Sequence, residues 1–125
     1  MSHPVVLLVV LLVCHYLADF CFTWKGLVRA KTDGRNAWQI AIHAGIHALL
    51  MGLCLLVACT GLKLLLLLMI LEFATHFVID VLKTWIMVRY NSFADISSKR
   101  YWVLYGADQL LHQFVVVLIW YIVIF

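Results

Sequence analysis

The sequence predicts an all-α membrane protein, a four-transmembrane-helix bundle with a polar His/Asp layer near its cytoplasmic side. Three observations carry this. Of 125 residues, 66% are hydrophobic and only 12% charged, with a mean hydropathy of +1.07. A soluble domain is about half apolar and a quarter charged, and a core of this size could not hide so much Leu, Val and Ile from water. Second, four apolar stretches each approach the ~20 residues that an α-helix needs to cross the hydrocarbon. Third, six Gly and one Pro leave few helix breakers.

The first stretch, Pro4 to Phe22, has no basic residue before it and no small-x-small cleavage site after its hydrophobic run, so it reads as an uncleaved helix. The second runs from Ala37 to Cys59, the third from Leu64 to Met87 and the fourth from Trp102 to Phe125. Together they make residues 1–125 a single membrane domain. The connection from Thr23 to Asn36 carries Lys25, Arg29, Lys31 and Arg35 against Asp33; that from Val88 to Tyr101 carries Arg89, Lys99 and Arg100 against Asp95. A tight turn at Thr60, Gly61, Leu62 and Lys63 joins the middle pair. Basic residues concentrate on the cytoplasmic side of membrane proteins, which places the first and third connections inside and both termini outside.

Trp24, Trp38, Trp85, Tyr90, Tyr101 and Trp102 cluster near the inferred cytoplasmic boundary as an interfacial aromatic belt. On the second span, Ala37, Ala41 and Gly45, and separately Ala44, Ala48 and Gly52, repeat every four residues, a spacing that lets a neighbouring backbone approach. That span is expected to be central. The polar segment Asn91 to Lys99 reads as a loop. Cys14, Cys21, Cys54 and Cys59 lie in or beside apolar runs without C-x-x-C spacing and read as small hydrophobes. The basic residues fall in short clusters as topology signals, not as a nucleic-acid footprint.

Every span carries one polar pair spaced i, i+4: His15 and Asp19, His43 and His47, His76 and Asp80, Asp108 and His112. Such a pair lies only ~40° apart around the helix, so each span has one polar stripe. Glu72 and Lys83 share the third stripe. At ~1.5 Å per residue from the inferred boundary, Asp19, His43, Asp80 and Asp108 sit at one depth, and His15, His47, His76 and His112 one turn deeper. Ionised residues at the centre of a membrane helix cost about 2.5 to 3.5 kcal/mol each. Ser, Thr or Asn would supply interhelical hydrogen bonds more cheaply.

Five His and four carboxylates exceed what one ion can use, because Zn²⁺ takes about four ligands and Mn²⁺ or Fe²⁺ about six. A site for two divalent ions (Zn, Mn or Fe), with His15, Asp19, His43, His47, His76, Asp80, Asp108 and His112 as ligands, is the natural fit. The second span's H-A-G-I-H lacks the glutamate of a zinc-protease motif, for Ala44 follows the first His. Lys83, which would ordinarily snorkel to the headgroups, is also placed to meet a substrate phosphate. Glu72 lies deepest, as a general base or as a partner that orients a His. Tyr105, one turn before Asp108, either binds ligand or packs.

The segments HYLADF, HAGIHALL, THFVIDVLK and DQLLH, in that order along most of the chain, resemble the small integral membrane proteins of bacteria and phages classed as domain of unknown function 3307. The resemblance implies a bacterial inner membrane and no established activity. A looser similarity is to membrane-bound metal-dependent hydrolases, whose motif order is not reproduced closely. The residues favour a hydrolase acting on a lipid-like or phosphoester substrate at the cytoplasmic leaflet, with membrane lipids as partners, no nucleic acid, and room for a homo-oligomer. The alternatives are a divalent-metal or proton transporter or channel, a di-iron oxidase, and a structural or partner-binding membrane protein. Against transport stand the lack of broken helices and the displacement of the layer from the midplane.

Overall fold

A computed structural model describes residues 3–58 and 61–125. The chain forms six helices among these residues: α1 Pro4–Phe20, α2 Lys25–Asp33, α3 Ala37–Val57, α4 Leu62–Arg89, α5 Asn91–Ala94 and α6 Lys99–Ile124. Cys59 and Thr60, expected at the end of the second span and in the tight turn, lie outside the described residues.

α3, α4 and α6 are each long and apolar enough to cross a membrane; α1 with α2, bent by 86°, makes a fourth candidate if the pair counts as one span. α1 alone has 17 residues, about 25 Å at ~1.5 Å per residue. It begins with Pro4, whose fixed φ suits the first helical turn, and ends two residues earlier than expected, where the chain turns at Cys21 and Phe22. α4 and α6 overrun the apolar stretches, because helical hydrogen bonding continues into polar sequence. Ser98 starts α6 by accepting from the Arg100 N–H at 3.1 Å, an ordinary N-cap.

α1, α3, α4 and α6 form a closed ring of neighbours, each packed against the next. The packing is inside out relative to a soluble bundle. Val5, Val9, Leu49, Leu53, Ile70 and Phe114 face outward, whereas His43, His76, Asp80 and Glu72 are at most 2% exposed. Such continuous apolar surface is the mark of a protein solvated by lipid.

Inside the ring the layers follow in order. At one end Leu7, Leu11, Met51, Leu55, Leu65, Leu68, Val116 and Ile119 form a tight apolar plug. The Trp120 indole N–H donates to the Pro4 carbonyl at 2.7 Å and ties α6 to the start of α1 there. The polar layer comes next. Beyond it Leu27, Ala30 and Ile40 form a small second apolar cluster. Of the two small-residue rows on α3, Ala44, Ala48 and Gly52 are buried, and a Cβ at Gly52 would stand 2.6 Å from the Met69 sulfur of α4. Gly45 faces open space, so only one row carries close packing.

α2 is the element that the sequence reading lacked. Leu27, Ala30 and Lys31 recur at i, i+3 and i+4 and turn one face inward, while Lys25, Arg29 and Asp33 stay outside. Gly34 closes the helix in the left-handed region (φ 70°), its N–H donating to the Ala30 carbonyl at 3.1 Å, a conformation that glycine adopts without penalty. α2 packs on α3 and α4. Trp24 donates to Gln39 at its start and Thr84 to the Lys31 carbonyl at its end, at 3.4 Å. At the same end of the bundle, α5 is a single turn in the segment expected to be a loop. There Asp95 accepts from the Ser97 hydroxyl at 2.7 Å and the Ser97 N–H at 2.9 Å, which holds its carboxyl below the usual carboxylate range.

Candidate metal centre

Each spanning helix delivers its polar pair to the same level because the buried stripes repeat every three or four residues. On α4 the stripe runs Leu65, Leu68, Glu72, His76, Asp80, Thr84 and Met87; on α1 it runs Leu7, Leu11, His15 and Ala18. Antiparallel neighbours then meet carboxylate to imidazole.

Asp19 is the first hub, with its carboxylate 3.3 Å from His15 Nε2, 3.2 Å from His43 Nε2 and 3.3 Å from His47 Nε2. Gln109 Nε2 donates at 3.0 Å to Oδ2, the oxygen that also faces His15, while His43 and His47 face Oδ1. Asp80 is the second, 3.6 Å from His76 Nε2, 3.7 Å from His112 Nε2 and 3.9 Å from His43 Nε2. Glu72 stands about two turns deeper than Asp80 on α4, 3.5 Å from His76 Nδ1 and 4.0 Å from His47 Nδ1. The rings themselves crowd together, His47 and His76 with centroids 3.7 Å apart and His76 and His112 4.0 Å apart.

Three sets of side chains can each present ligand atoms within 4.8 Å of one another: His15, His47, Glu72 and His76; Asp19, His43, His47 and His76; His76, Asp80 and His112. These sets include seven of the eight residues expected as ligands, together with Glu72. The eighth, Asp108, falls outside them among the described residues. It lies 3.5 Å from His112 Nε2 and 2.8 Å from the Lys83 ammonium.

The donor chemistry fits a divalent cation. Apart from Asp80 Oδ2, which the Lys31 ammonium reaches at 2.7 Å, ten buried ring nitrogens and carboxylate oxygens among the described residues make no hydrogen bond, including both nitrogens of His76 and of His15 and Oε2 of Glu72. Buried polar atoms are normally satisfied, and each orphan costs about 1 to 3 kcal/mol. A cluster of convergent orphans of N and O type is the arrangement that a bound cation satisfies all at once.

A cavity reaches this layer from the α2 side. It has about 210 Å³ and lies among α1, α2, α4 and α6, bounded by Asp19, Asp108 and Gln109 at its floor and by Lys31, Lys83 and Tyr105 on its walls. Lys83 is only 14% exposed and stands 4.8 Å over the Tyr105 ring, so it turns into the site instead of snorkelling outward. Lys31 is the functional candidate that sequence reasoning missed. Assigned to a cytoplasmic loop as one of four positive charges, it instead reaches in from α2 to place its ammonium 2.7 Å from Asp80 Oδ2. The available signal was its i, i+4 and i, i+1 relation to Leu27 and Ala30, followed by a glycine stop at Gly34.

The family described as "Protein of unknown function (DUF3307)" matches the chain over residues 7–125. No curated protein and no solved structure matches it.

Proposed function

The chain belongs to the DUF3307 family, whose description assigns no activity, and from its polar layer we propose a membrane-embedded, metal-dependent hydrolase that cleaves a phosphoester of a lipid-like substrate at the cytoplasmic leaflet. One observation carries this reading: two ligand sets, Asp19, His43, His47 and His76 and then His76, Asp80 and His112, share His76 and divide into two triads when it is given to the second, in a layer with a cavity on one side and an apolar plug on the other.

In this reading each triad holds one divalent ion. Glu72, 3.5 Å from His76 Nδ1, would orient that ring so that Nε2, the nitrogen nearer Asp80, is left for the ion, and Asp108 flanks the second triad 3.5 Å from His112 Nε2. Zn, Mn or Fe ions there would supply Lewis acidity, polarising a phosphoryl oxygen and acidifying water. The chain's own groups do the rest. Lys83 attracts the anionic group, Gln109 holds Asp19 in place by its 3.0 Å hydrogen bond, and the apolar plug keeps bulk water out from the far side. Orientation follows from charge. Lys25, Arg29, Lys31, Arg35, Arg89, Lys99 and Arg100 all belong to the end that bears α2 and α5, against Lys63 at the other, which makes the α2 end cytoplasmic and sets both termini outside.

The first experiment is metal content by mass spectrometry on detergent-purified protein prepared without chelator. Wild type is expected to carry about two equivalents per chain, lost in His43→Ala and Asp80→Ala, and to release phosphate from a lipid extract. Metal-free protein that releases nothing refutes the hydrolase. Metal uptake into proteoliposomes, abolished by His76→Ala, would replace hydrolysis with transport.

A further inference from the structure

Lys31 and Lys83 come from different helices, yet both ammonium groups end on carboxylates of the candidate metal layer: Lys31 on Asp80 at 2.7 Å and Lys83 on Asp108 at 2.8 Å. Both also line the cavity above that layer, with Gln109 and Tyr105. An ammonium and a divalent ion cannot share one carboxylate oxygen without strong repulsion, so an ion held by Asp80, a member of a ligand set, must weaken the Lys31 pair. Neither lysine is locked in place. Their side chains are 23% and 14% exposed, against 1% and 2% for the aspartates, so the lysines can swing and the aspartates cannot.

Resting on the metal-site reading above, we propose that Lys31 and Lys83 form a two-armed clamp for a phosphate group: a divalent ion on Asp80 releases Lys31 into the cavity, where Lys83, held at the wall by Asp108, is the second arm. Charge bookkeeping favours the switch. Counted as ionised, Asp19, Glu72, Asp80 and Asp108 outweigh the two ammonium groups by two negative charges, and the metal-free layer repels an anion. Two divalent ions reverse that to two positive charges, which is the complement of a phosphate dianion. The cavity, at about 210 Å³, has room for about seven water volumes, enough for a phosphate with part of its substituent. Phe20, Leu27 and Met87 give the cavity an apolar side, on which the first carbons beyond the phosphate can rest. Binding is therefore ordered, metal before anion, and α2 acts as the arm that delivers Lys31.

The test is calorimetry on the full chain in detergent, titrated first with Mn²⁺ alone and then with inorganic phosphate, in the presence and absence of the metal. Phosphate is expected to bind at least about tenfold more tightly to the Mn²⁺-loaded protein, the equivalent of one charge-assisted contact. Lys31→Gln and Lys83→Gln should each weaken phosphate by about tenfold, with Mn²⁺ affinity raised in Lys31→Gln, where a competitor for Asp80 is gone, and unchanged in Lys83→Gln. Lys31→Arg, which keeps the charge, should restore phosphate binding and serves as the folding control.

A parallel fall in Mn²⁺ and phosphate affinity in both glutamine variants would assign the lysines a scaffolding role and overturn the clamp. So would equal phosphate binding with and without metal. If wild type binds no Mn²⁺, the metal site and the clamp fall together; if it binds Mn²⁺ but never phosphate, the clamp alone falls. Short-chain phosphatidic acid in place of inorganic phosphate distinguishes the source. Tighter binding of the lipid assigns the site to a headgroup, equal binding to free phosphate, and either supports the clamp.

Discussion

His76→Leu separates a ligand layer from a structural one. His76 is 1% exposed, stacked between His47 and His112, and neither of its ring nitrogens has a hydrogen-bond partner among the described residues. If each orphan nitrogen costs about 1 to 3 kcal/mol, the ring burdens the metal-free fold by a few kcal/mol. A leucine removes that burden at a packing cost of up to about 1.5 kcal/mol and sacrifices loose contacts with Glu72 and Asp80 at 3.5 and 3.6 Å. Stability of the chelated variant should therefore equal or exceed wild type. The bound state behaves oppositely: a ligand at about 100 times its Kd adds about 2.7 kcal/mol per site, and His76→Leu forfeits that increment. Reversible denaturation in mixed detergent, followed by circular dichroism with chelator and with Mn²⁺, reads both quantities. A variant more than about 2 kcal/mol less stable under chelator, with its metal increment intact, would show that the imidazole serves the fold and would refute the reasoning.

Three further outcomes are expected. A double-mutant cycle on Lys31→Met and Asp80→Asn should give a coupling of about 1.5 to 3 kcal/mol in metal-free protein, the range for a hydrogen bond to a charged group, shrinking towards zero when Mn²⁺ is added; a metal-independent coupling would contradict the displacement of Lys31. Cys14 and Cys54, with sulfurs 3.1 Å apart on α1 and α3, should be closed into an intramolecular disulfide by copper phenanthroline in a Cys59→Ser background, which leaves Cys21 open to maleimide; simultaneous labelling of all three thiols after oxidation would argue against this helix arrangement. The Asp95 carboxyl is depressed in the fold, so its contribution to the turn is present above the ordinary value of 3.8 and lost as pH falls through the folded value. The protection factor of the Ser97 amide, corrected for the intrinsic pH dependence of exchange, should accordingly fall on acidification in wild type and stay constant over that range in Asp95→Asn.

The features legible from sequence are those that lipid dictates. A hydrocarbon solvent demands about 20 apolar residues per crossing, and it makes every ionisable side chain conspicuous, so the i, i+4 pairs could be placed on one level by arithmetic alone. α2 escaped for the opposite reason. Its residues Lys25 to Asp33 are polar enough to read as a connection; the spacing of Leu27, Ala30 and Lys31 marks a helical face, but that this face turns into the bundle depends on the 86° bend after α1, a tertiary event. Spacing also could not rank the carboxylates. Glu72 joins a ligand set whereas Asp108 is taken up by Lys83, and that division depends on which neighbour reaches across from another helix.

The asymmetry of the bundle bears most directly on the choice among functions. A carrier or channel needs its polar groups connected, at least in turn, to both sides of the membrane. The α1–α2 pair, bent by 86°, departs from the unbroken helices expected from sequence, and Gly52 lies on the buried stripe of α3; but Leu11, Leu55 and Leu68, each at most 3% exposed, fill the axis beyond Glu72, and no Pro or Gly interrupts α4 or the axis-facing stripe of α6. The opposite end carries two lysines, a cavity and an amphipathic helix that lies across the entrance. A layer of orphaned imidazoles and carboxylates held behind one charged entrance is costly for a structural role and poorly connected for a conduit. It is well suited to bring an anionic group, a dry pocket and bound cations to a single point at one leaflet, which is what hydrolysis of a phosphoester asks of a protein scaffold.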